Sequence, residues 1–123
     1  MGEGGAARSA AAPGDARFRR VDRVRSGKDF RRLGREGRRR QGGHFVVLAG
    51  PGMAPERPRL GLTVSRRVGR AVARNRVKRR VREWFRRERG RLAPGTDYVV
   101  IARRGAAELD TRSTWAVLEE LLR

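Results

Sequence analysis

The residues of this sequence best suited to chemistry are the cations of one segment, Arg66 to Arg91. The segment holds 13 Lys and Arg residues against two acids, Glu83 and Glu88. Guanidinium groups bind phosphate through paired hydrogen bonds and stack on bases, so the segment favours a polyanion as its ligand. Asn75 differs from its cationic neighbours because an amide both accepts and donates hydrogen bonds. It can therefore meet a base edge or a 2′-hydroxyl in a way that arginine cannot.

Groups that would cut a nucleic acid are missing from the charged segments. A metal-dependent nuclease needs clustered carboxylates to hold Mg²⁺, whereas Asp29 has the position of a helix cap and the acids of the cationic segment have arginines nearby for local ion pairs. His44 is the only histidine and begins a predicted strand, where a structural or surface role is expected. The sequence has no Cys and no Gly-rich phosphate loop. We therefore predict no catalytic residue, no metal site and no cofactor held by this chain.

A long helix is predicted to carry the asparagine. From Ala71 to Arg89, apolar residues recur three and four positions apart and end in Trp84 and Phe85, which is typical of a helix with one buried stripe. Gly90 is predicted to cap its C-terminus. The N-terminus of this helix adds a partial positive charge of its own. The periodicity places four polar residues on the side opposite the stripe, namely Asn75, Arg79, Arg82 and Arg86.

The remaining segments alternate between helix and strand patterns. Ser26 to Asp29 has the form of a capping box, which predicts a short helix with Phe30 and Leu33 on one face, weakened by Gly34 and ended by Gly37. Apolar runs predict three strands, at His44–Ala49, Arg59–Ser65 and Asp97–Ala102. A proline-rich loop is predicted at Pro51–Pro58, and an amphipathic pattern predicts a last helix at Thr111–Leu122. This order predicts the α+β class, as a two-layer α-β sandwich with a small sheet backed by helices.

Length and charge bound the class of protein. The chain has 123 residues, enough for one domain, and a formal net charge of +19. Residues 17–40 carry a balance of +9 and residues 66–91 one of +11, which leaves −1 for the remainder. Such a charge on a small body costs stability unless a polyanion offsets it, and nucleic acid is the leading candidate.

The N-terminal segment carries no targeting pattern. Residues 1–16 contain no Leu, Ile, Val or Phe, so they cannot supply the apolar stretch of a secretory signal. The sequence also lacks the run of about 18 apolar residues that a membrane-spanning helix requires. We predict a disordered tail over residues 1–16, an RNA-binding domain over residues 17–123, and a cytoplasmic location.

The segment Val68 to Glu83 resembles the arginine-asparagine-arginine helix of the bacterial ribonuclease P protein subunit. The resemblance covers roughly residues 18–122, because other segments match that family in the same order: Arg23–Gly37, Phe45–Leu48, Gly61–Arg67 and Tyr98–Arg103. The resemblance implies a subunit of an endoribonuclease in which a separate RNA, using Mg²⁺, cleaves precursor tRNA at its mature 5′ end. It implies that the protein binds this catalytic RNA and the 5′ leader of precursor tRNA, and it implies no membrane and no protein partner.

The resemblance also implies a fold and a set of site residues. The fold is ribosomal-protein-S5-like, with a left-handed βαβ crossover and four strands, so a fourth strand is expected between Arg38 and Pro51. Residues implied in binding the catalytic RNA are Arg74, Asn75, Arg76, Lys78, Arg79 and Arg82. Those implied in binding the leader are Phe30, Arg66, Arg67, Arg70, Asn75 and Lys78.

Two positions depart from the family pattern. The family often has an aromatic residue one turn after Phe30 and another near the end of the first apolar strand, where this sequence has Gly34 and Leu48. The aromatic lining of the leader cleft is therefore expected to be thinner, with more of the binding supplied by charge and backbone contacts. Phe30 itself has a second interpretation, as a core residue packed with Leu33.

Two other functions fit the same composition. A ribosomal or other structural RNA-packing protein would carry a similar excess of cations. A basic protein of the membrane surface would need an amphipathic helix with a large exposed apolar face, and the apolar stripe of the long helix is better suited to the core.

Overall fold

A four-stranded mixed sheet organises the molecule in a computed structural model that describes residues 27–52 and 55–122. The strands are β1 Arg38–Gly42, β2 Phe45–Pro51, β3 Arg59–Val64 and β4 Thr96–Ala102, and the helices are α1 Gly27–Glu36, α2 Ala71–Glu88 and α3 Thr111–Leu121. The spatial order is β1-β2-β4-β3. β3 pairs parallel with β4, and the other two pairings are antiparallel. α2 connects the two parallel strands, which makes a βαβ unit.

The main core lies between one face of the sheet and the helices α2 and α3, and we call this face the core face. Alternate strand residues point to it, among them Phe45 of β2 and Val100 of β4. Val81 and Phe85 of α2 and Leu118 of α3 pack against them and are fully buried. Burying a side chain of this size stabilises the fold by about 1.5–3 kcal/mol, so this layer provides most of the stability.

Helix α1 packs against the other face of the sheet, which we call the α1 face. Leu33 of α1 is buried, and a Cβ added to Gly50 of β2 would lie 3.0 Å from its Cδ2 atom. Gly50 alternates with Val47 and Ala49, whose side chains belong to the core face. The predicted sheet backed by helices is thus present on the core face, and α1 adds a partial layer on the second face.

Most predicted elements are confirmed, with shifts of one or two residues at their ends. Pro51 was predicted to lie in a loop, but it pairs with Thr96 and extends β2. The prediction that Gly90 caps α2 is wrong, because the helix continues through Arg89 into a short 3-10 turn that contains the glycine. The predicted cap Ser26 and the predicted tail over residues 1–16 lie outside the described residues.

The fourth strand lies where the resemblance implied it, as β1. Its sequence, RRRQG, contains no bulky apolar residue, and all five residues are exposed. β1 pairs with β2 along one side only and forms an edge of the sheet. Backbone hydrogen bonds hold such a strand, and its charges oppose edge-to-edge association. A search for apolar alternation therefore could not find it.

Candidate nucleic-acid interface

A tight turn after β3 places three arginines beside the start of α2. The Ser65 side chain accepts a hydrogen bond from the Arg67 backbone N–H at 3.1 Å and caps a short 3-10 turn. Gly69 then adopts a φ of 148°, a conformation that side chains disfavour, and the chain enters α2 at Ala71. Because this turn lies at the surface, three side chains around it are exposed: Arg66, Arg67 and Arg70.

Packing of α2 fixes which of its cations face outward. Val77 and Val81 are buried against the core face, which turns the opposite side of the helix toward solvent. Asn75, Arg76 and Arg79 are exposed, as the periodicity predicted for the first and third. The other three cations assigned to this helix are half-buried, including Arg82, which the periodicity had placed opposite the buried stripe: Arg74, Lys78 and Arg82.

Cations of the C-terminal half of α2 are used within the protein. Arg80 donates to the Leu109 carbonyl oxygen, and its own carbonyl accepts a hydrogen bond from the Trp115 indole N–H at 3.0 Å. The guanidinium of Arg87 lies 5.1 Å from the centroid of the Trp115 ring, in a cation–π contact that ties α2 to α3. These contacts turn one flank of α2 toward α3.

An ion pair between Arg86 and Glu83 satisfies a further cation of this half. The hydrogen bond from Arg86 lowers the pKa of the Glu83 carboxyl group. Beyond the helix, Arg91 pairs with Glu88 at 3.0 Å and with Glu119 at 2.7 Å. The acids in this part of the sequence are thus matched to arginines of the same part, as their spacing predicted.

Cations of the N-terminal half have no such partners. Within residues 27–52 and 55–122, no carboxylate lies within ion-pair distance of the exposed arginines at the turn and on the first half of the helix: Arg66, Arg67, Arg70, Arg76 and Arg79. The positive end of the helix dipole adds to the same region. Positive potential is therefore concentrated at this end of α2, where a bound anion is stabilised most.

The half-buried cations lie on the flank of α2 away from α3. Since α3 covers the part of the core face nearer β1, the flank with Lys78 points toward β3, the other edge of the sheet. At the β3 edge of the sheet, a surface can pass from the core face to the α1 face. Lys78 on α2 and Phe30 on α1 therefore belong to opposite faces, and the surface that would join them passes around β3.

Helix α1 leaves part of the α1 face partly exposed, and we call the surface between α1 and this part of the sheet the cleft. Phe30 is half-buried on α1, one turn before the buried Leu33. Side chains of alternate strand residues form the floor, where Leu48 and Ile101 are half-buried and Thr63 is exposed. This apolar floor with an aromatic residue on its wall fits the stacking of unpaired bases.

An ion-pair network fixes α1 on the sheet, and we call it the Asp97 network (Asp29, Arg32, Arg59 and Asp97). Asp97 of β4 is 1% exposed. Arg59 of β3 donates to its two oxygens at 2.9 and 2.6 Å, and Arg32 of α1 donates to it at 3.1 Å. Asp29, which was predicted to be a cap residue, lies 3.4 Å from Arg32 and 3.7 Å from Arg59 and forms ion pairs with both. The hydrogen bonds to Asp97 raise the pKa of Arg59.

Sequence reasoning did not single out two further cations at the same end of the sheet. Arg103 and Arg104 follow β4 directly, and both are exposed. The Arg103 N–H donates to the His44 carbonyl oxygen at 2.8 Å, and the Ser65 N–H donates to the neighbouring Ala102 oxygen at 3.5 Å. These bonds place the two arginines at the end of the sheet from which the turn into α2 leaves. Their signal in the sequence was an arginine pair immediately after a central strand.

His44, which was predicted to begin a strand, lies one residue before β2 and is exposed. It adopts a φ of 73° in the connection between β1 and β2, and a Cβ added to Gly105 would lie 2.6 Å from its Nδ1 atom. In the part of the chain that the structure describes, no group of three or more His, Cys, Asp or Glu side chains is arranged to hold a metal ion. No helix in that part is long and apolar enough to span a membrane.

Comparison with known proteins adds independent evidence to this geometry. Residues 18–123 match the family model described as Ribonuclease P. A ribonuclease P protein component from Syntrophobacter fumaroxidans is 46% identical over 110 residues, which cover 89% of this chain and 89% of the relative. A component from Thermotoga maritima is 42% identical over 106 residues, or 85% of this chain and 90% of the relative.

Solved structures show the same architecture. The RNase P protein from Staphylococcus aureus superposes with a TM-score of 0.75 at 32% identity, covering 82% of this chain and 92% of that one. The RNase P protein from Thermotoga maritima superposes with a TM-score of 0.72 at 38% identity, covering 81% and 94%.

Proposed function

The chain belongs to the ribonuclease P protein family, and from this premise we propose that it binds the catalytic RNA of ribonuclease P and the 5′ leader of precursor tRNA. By this binding it assists the endonucleolytic removal of the leader, which gives the mature tRNA 5′ end. Proteins of the family are subunits of the ribonuclease P holoenzyme, and catalysis lies in the RNA. The Mg²⁺ that the reaction requires acts, in this proposal, on the RNA, and no residue of this chain is assigned to it.

The division of cations along α2 is the observation that carries the proposal. Arginines of the C-terminal half bind carbonyl oxygens, carboxylates and an indole ring of the same chain. The exposed arginines of the N-terminal half, Arg76 and Arg79, have no acid partner among the described residues. Charge that a fold leaves unmatched at one helix end is suited to RNA phosphates, whose counterions are released on binding. Asn75 lies among these cations and can read a base edge or a 2′-hydroxyl.

The cleft on the α1 face supports the second half of the proposal. A single-stranded leader needs a surface on which bases stack and a rim that binds phosphates. Phe30 and the apolar floor supply the first, and the turn with Arg66 and Arg67 supplies the second. Family membership favours this function over the ribosomal alternative, which the charge alone would have allowed.

A binding experiment with matched arginine variants tests the proposal. Arg76→Ala and Arg79→Ala each remove an exposed cation from the N-terminal half of α2, whereas Arg86→Ala removes one from the C-terminal half. We expect Arg76→Ala and Arg79→Ala to weaken affinity for the catalytic RNA. The slope of log K against log salt is negative, and we expect its magnitude to decrease by about 0.7–0.9 per lost phosphate contact. The control variant should bind like the wild type.

Circular dichroism would verify that all three variants remain folded. Equal losses of affinity in the three variants would mean that net charge, and not this surface, determines binding. Normal affinity in Arg76→Ala and Arg79→Ala would show that the surface assignment is wrong.

A further inference from the structure

Two side chains of the edge strand β1 lie on the α1 face of the sheet. Arg39 is the register partner of Leu48, and Gln41 is the register partner of Val46. Directly paired residues of neighbouring strands share a face, so both side chains lie beside the floor of the cleft. They are exposed. They form the rim of the cleft at the edge opposite β3 and its arginine-rich turn.

The two side chains are already arranged for binding. Arg39 donates from Nη2 to the Gln41 amide oxygen at 3.1 Å. This bond orients the planar guanidinium. Its other N–H groups can still donate hydrogen bonds to a ligand, and its flat face can still stack on a base. The Gln41 amide keeps its two N–H donors. Within the described residues, no acid forms an ion pair with Arg39.

The position of Arg39 relates to the missing aromatic residues. Leu48, its register partner, occupies one of the positions where an aromatic residue was expected, and Gly34 occupies the other. A Cβ added to Gly34 would have no heavy atom within 4 Å, so the space beside α1 at this position is open. Bases splayed from a single strand stack on arginine planes as well as on aromatic rings. A guanidinium beside Leu48 can therefore supply a stacking surface that the apolar floor lacks.

We propose that Arg39 and Gln41 form a further subsite for a nucleotide of the single-stranded leader. The guanidinium stacks on the base, and the amide of Gln41 donates to the base edge. The inference rests on the proposed function, because it assigns one more contact to the same cleft. A cationic rim fits a polyanion, and its position beside the cleft favours the leader as the occupant.

A neighbouring arginine gives a matched control. Arg38 is also exposed on β1, but it pairs in register with Ala49 and points to the core face, where it lines a cavity of about 240 Å³ with Arg40 and Leu121. Arg38→Ala and Arg39→Ala therefore remove the same charge from adjacent positions and differ in the face from which they remove it. Both residues are exposed, so neither change disturbs the core.

The experiment measures the affinity of the reconstituted holoenzyme for precursor tRNA with a leader of about ten nucleotides and for mature tRNA. We expect Arg39→Ala to weaken binding of the leader-bearing substrate about tenfold, which lies within the range for loss of one stacked base. Mature tRNA should bind as it does to the wild type. Gln41→Glu should act in the same direction, because its carboxylate would pair with Arg39 and repel phosphate. Arg38→Ala should have little effect.

Besides unchanged leader binding by Arg39→Ala, three results would overturn the subsite. The first is an equal loss for Arg38→Ala and Arg39→Ala, and the second is an equal loss for leader-bearing and mature tRNA. The third is a weaker affinity of Arg39→Ala for the catalytic RNA alone, which would assign the rim to that RNA. Phe30→Ala distinguishes a failure of the subsite alone from a failure of the proposed leader-binding cleft. If it weakens binding of the leader while Arg39→Ala does not, only the subsite is wrong, whereas no leader-specific loss in either variant would contradict the cleft itself.

Discussion

At the scale of single residues, Asp97 shows how a charge is kept in the interior of a strand. It begins a run of apolar residues in the central strand β4 and is 1% exposed. Its oxygens accept hydrogen bonds from Arg59 and Arg32, which belong to two other elements. A buried carboxylate is tolerated only with such partners. Because they lie 38 and 65 residues away, local sequence patterns could not identify them.

Asp97→Ala should be strongly destabilising. The change leaves the mostly buried Arg59 without its main partner, and breaking a buried pair in this way costs about 3–5 kcal/mol. Urea denaturation followed by circular dichroism measures the free energy of unfolding. Glu56→Ala is the control, because the pair of Glu56 with Arg57 is exposed and its loss should cost less than about 1 kcal/mol. Similar stability of both variants would show that the Asp97 network does not hold α1 on the sheet.

At the scale of elements, patterns succeeded where one side of an element is apolar. The buried stripe of α2 and the apolar run of β4 predicted a long helix and a central strand, and both are confirmed. β1 has no bulky apolar residue, so only the resemblance implied it. The side of the sheet on which α1 packs was also beyond the sequence, because it depends on tertiary contacts of Leu33 and the Asp97 network. The sequence also could not show which cations of α2 are bound within the protein, because their partners Leu109 and Trp115 come from distant parts of the chain.

Two glycines near the end of α1 should respond oppositely to the same substitution. Gly34 lies in the helix with open space around it, so Gly34→Ala should raise the free energy of unfolding by about 0.5–1 kcal/mol through helix propensity. A Cβ on Gly37 would lie 2.8 Å from the carbonyl oxygens of Ala49 and Leu33. Gly37→Ala should therefore lower the free energy of unfolding by about 1–3 kcal/mol. Denaturation curves compare the two, and effects of the same sign would contradict the packing of α1 described above.

At the scale of the whole molecule, charge is distributed by function and not by balance. The described scaffold pairs several of its acids with arginines, and it leaves the exposed arginines around the start of α2 and Arg39 on β1 without a carboxylate partner among the described residues. This arrangement costs stability in the free protein, and RNA offsets the cost when it binds. The cleft lies between the two cationic rims, so one polyanion can cross the α1 face and meet both.

Reconstitution at low Mg²⁺ tests this account most directly. Precursor tRNA is incubated with the protein alone, with the catalytic RNA alone and with both, and the 5′ ends are mapped. Mature 5′ ends are expected only where the catalytic RNA is present, and processing is expected to be faster when the protein is added to that RNA. Removal of the leader by the protein without the RNA, or processing that the protein leaves unchanged, would contradict this account.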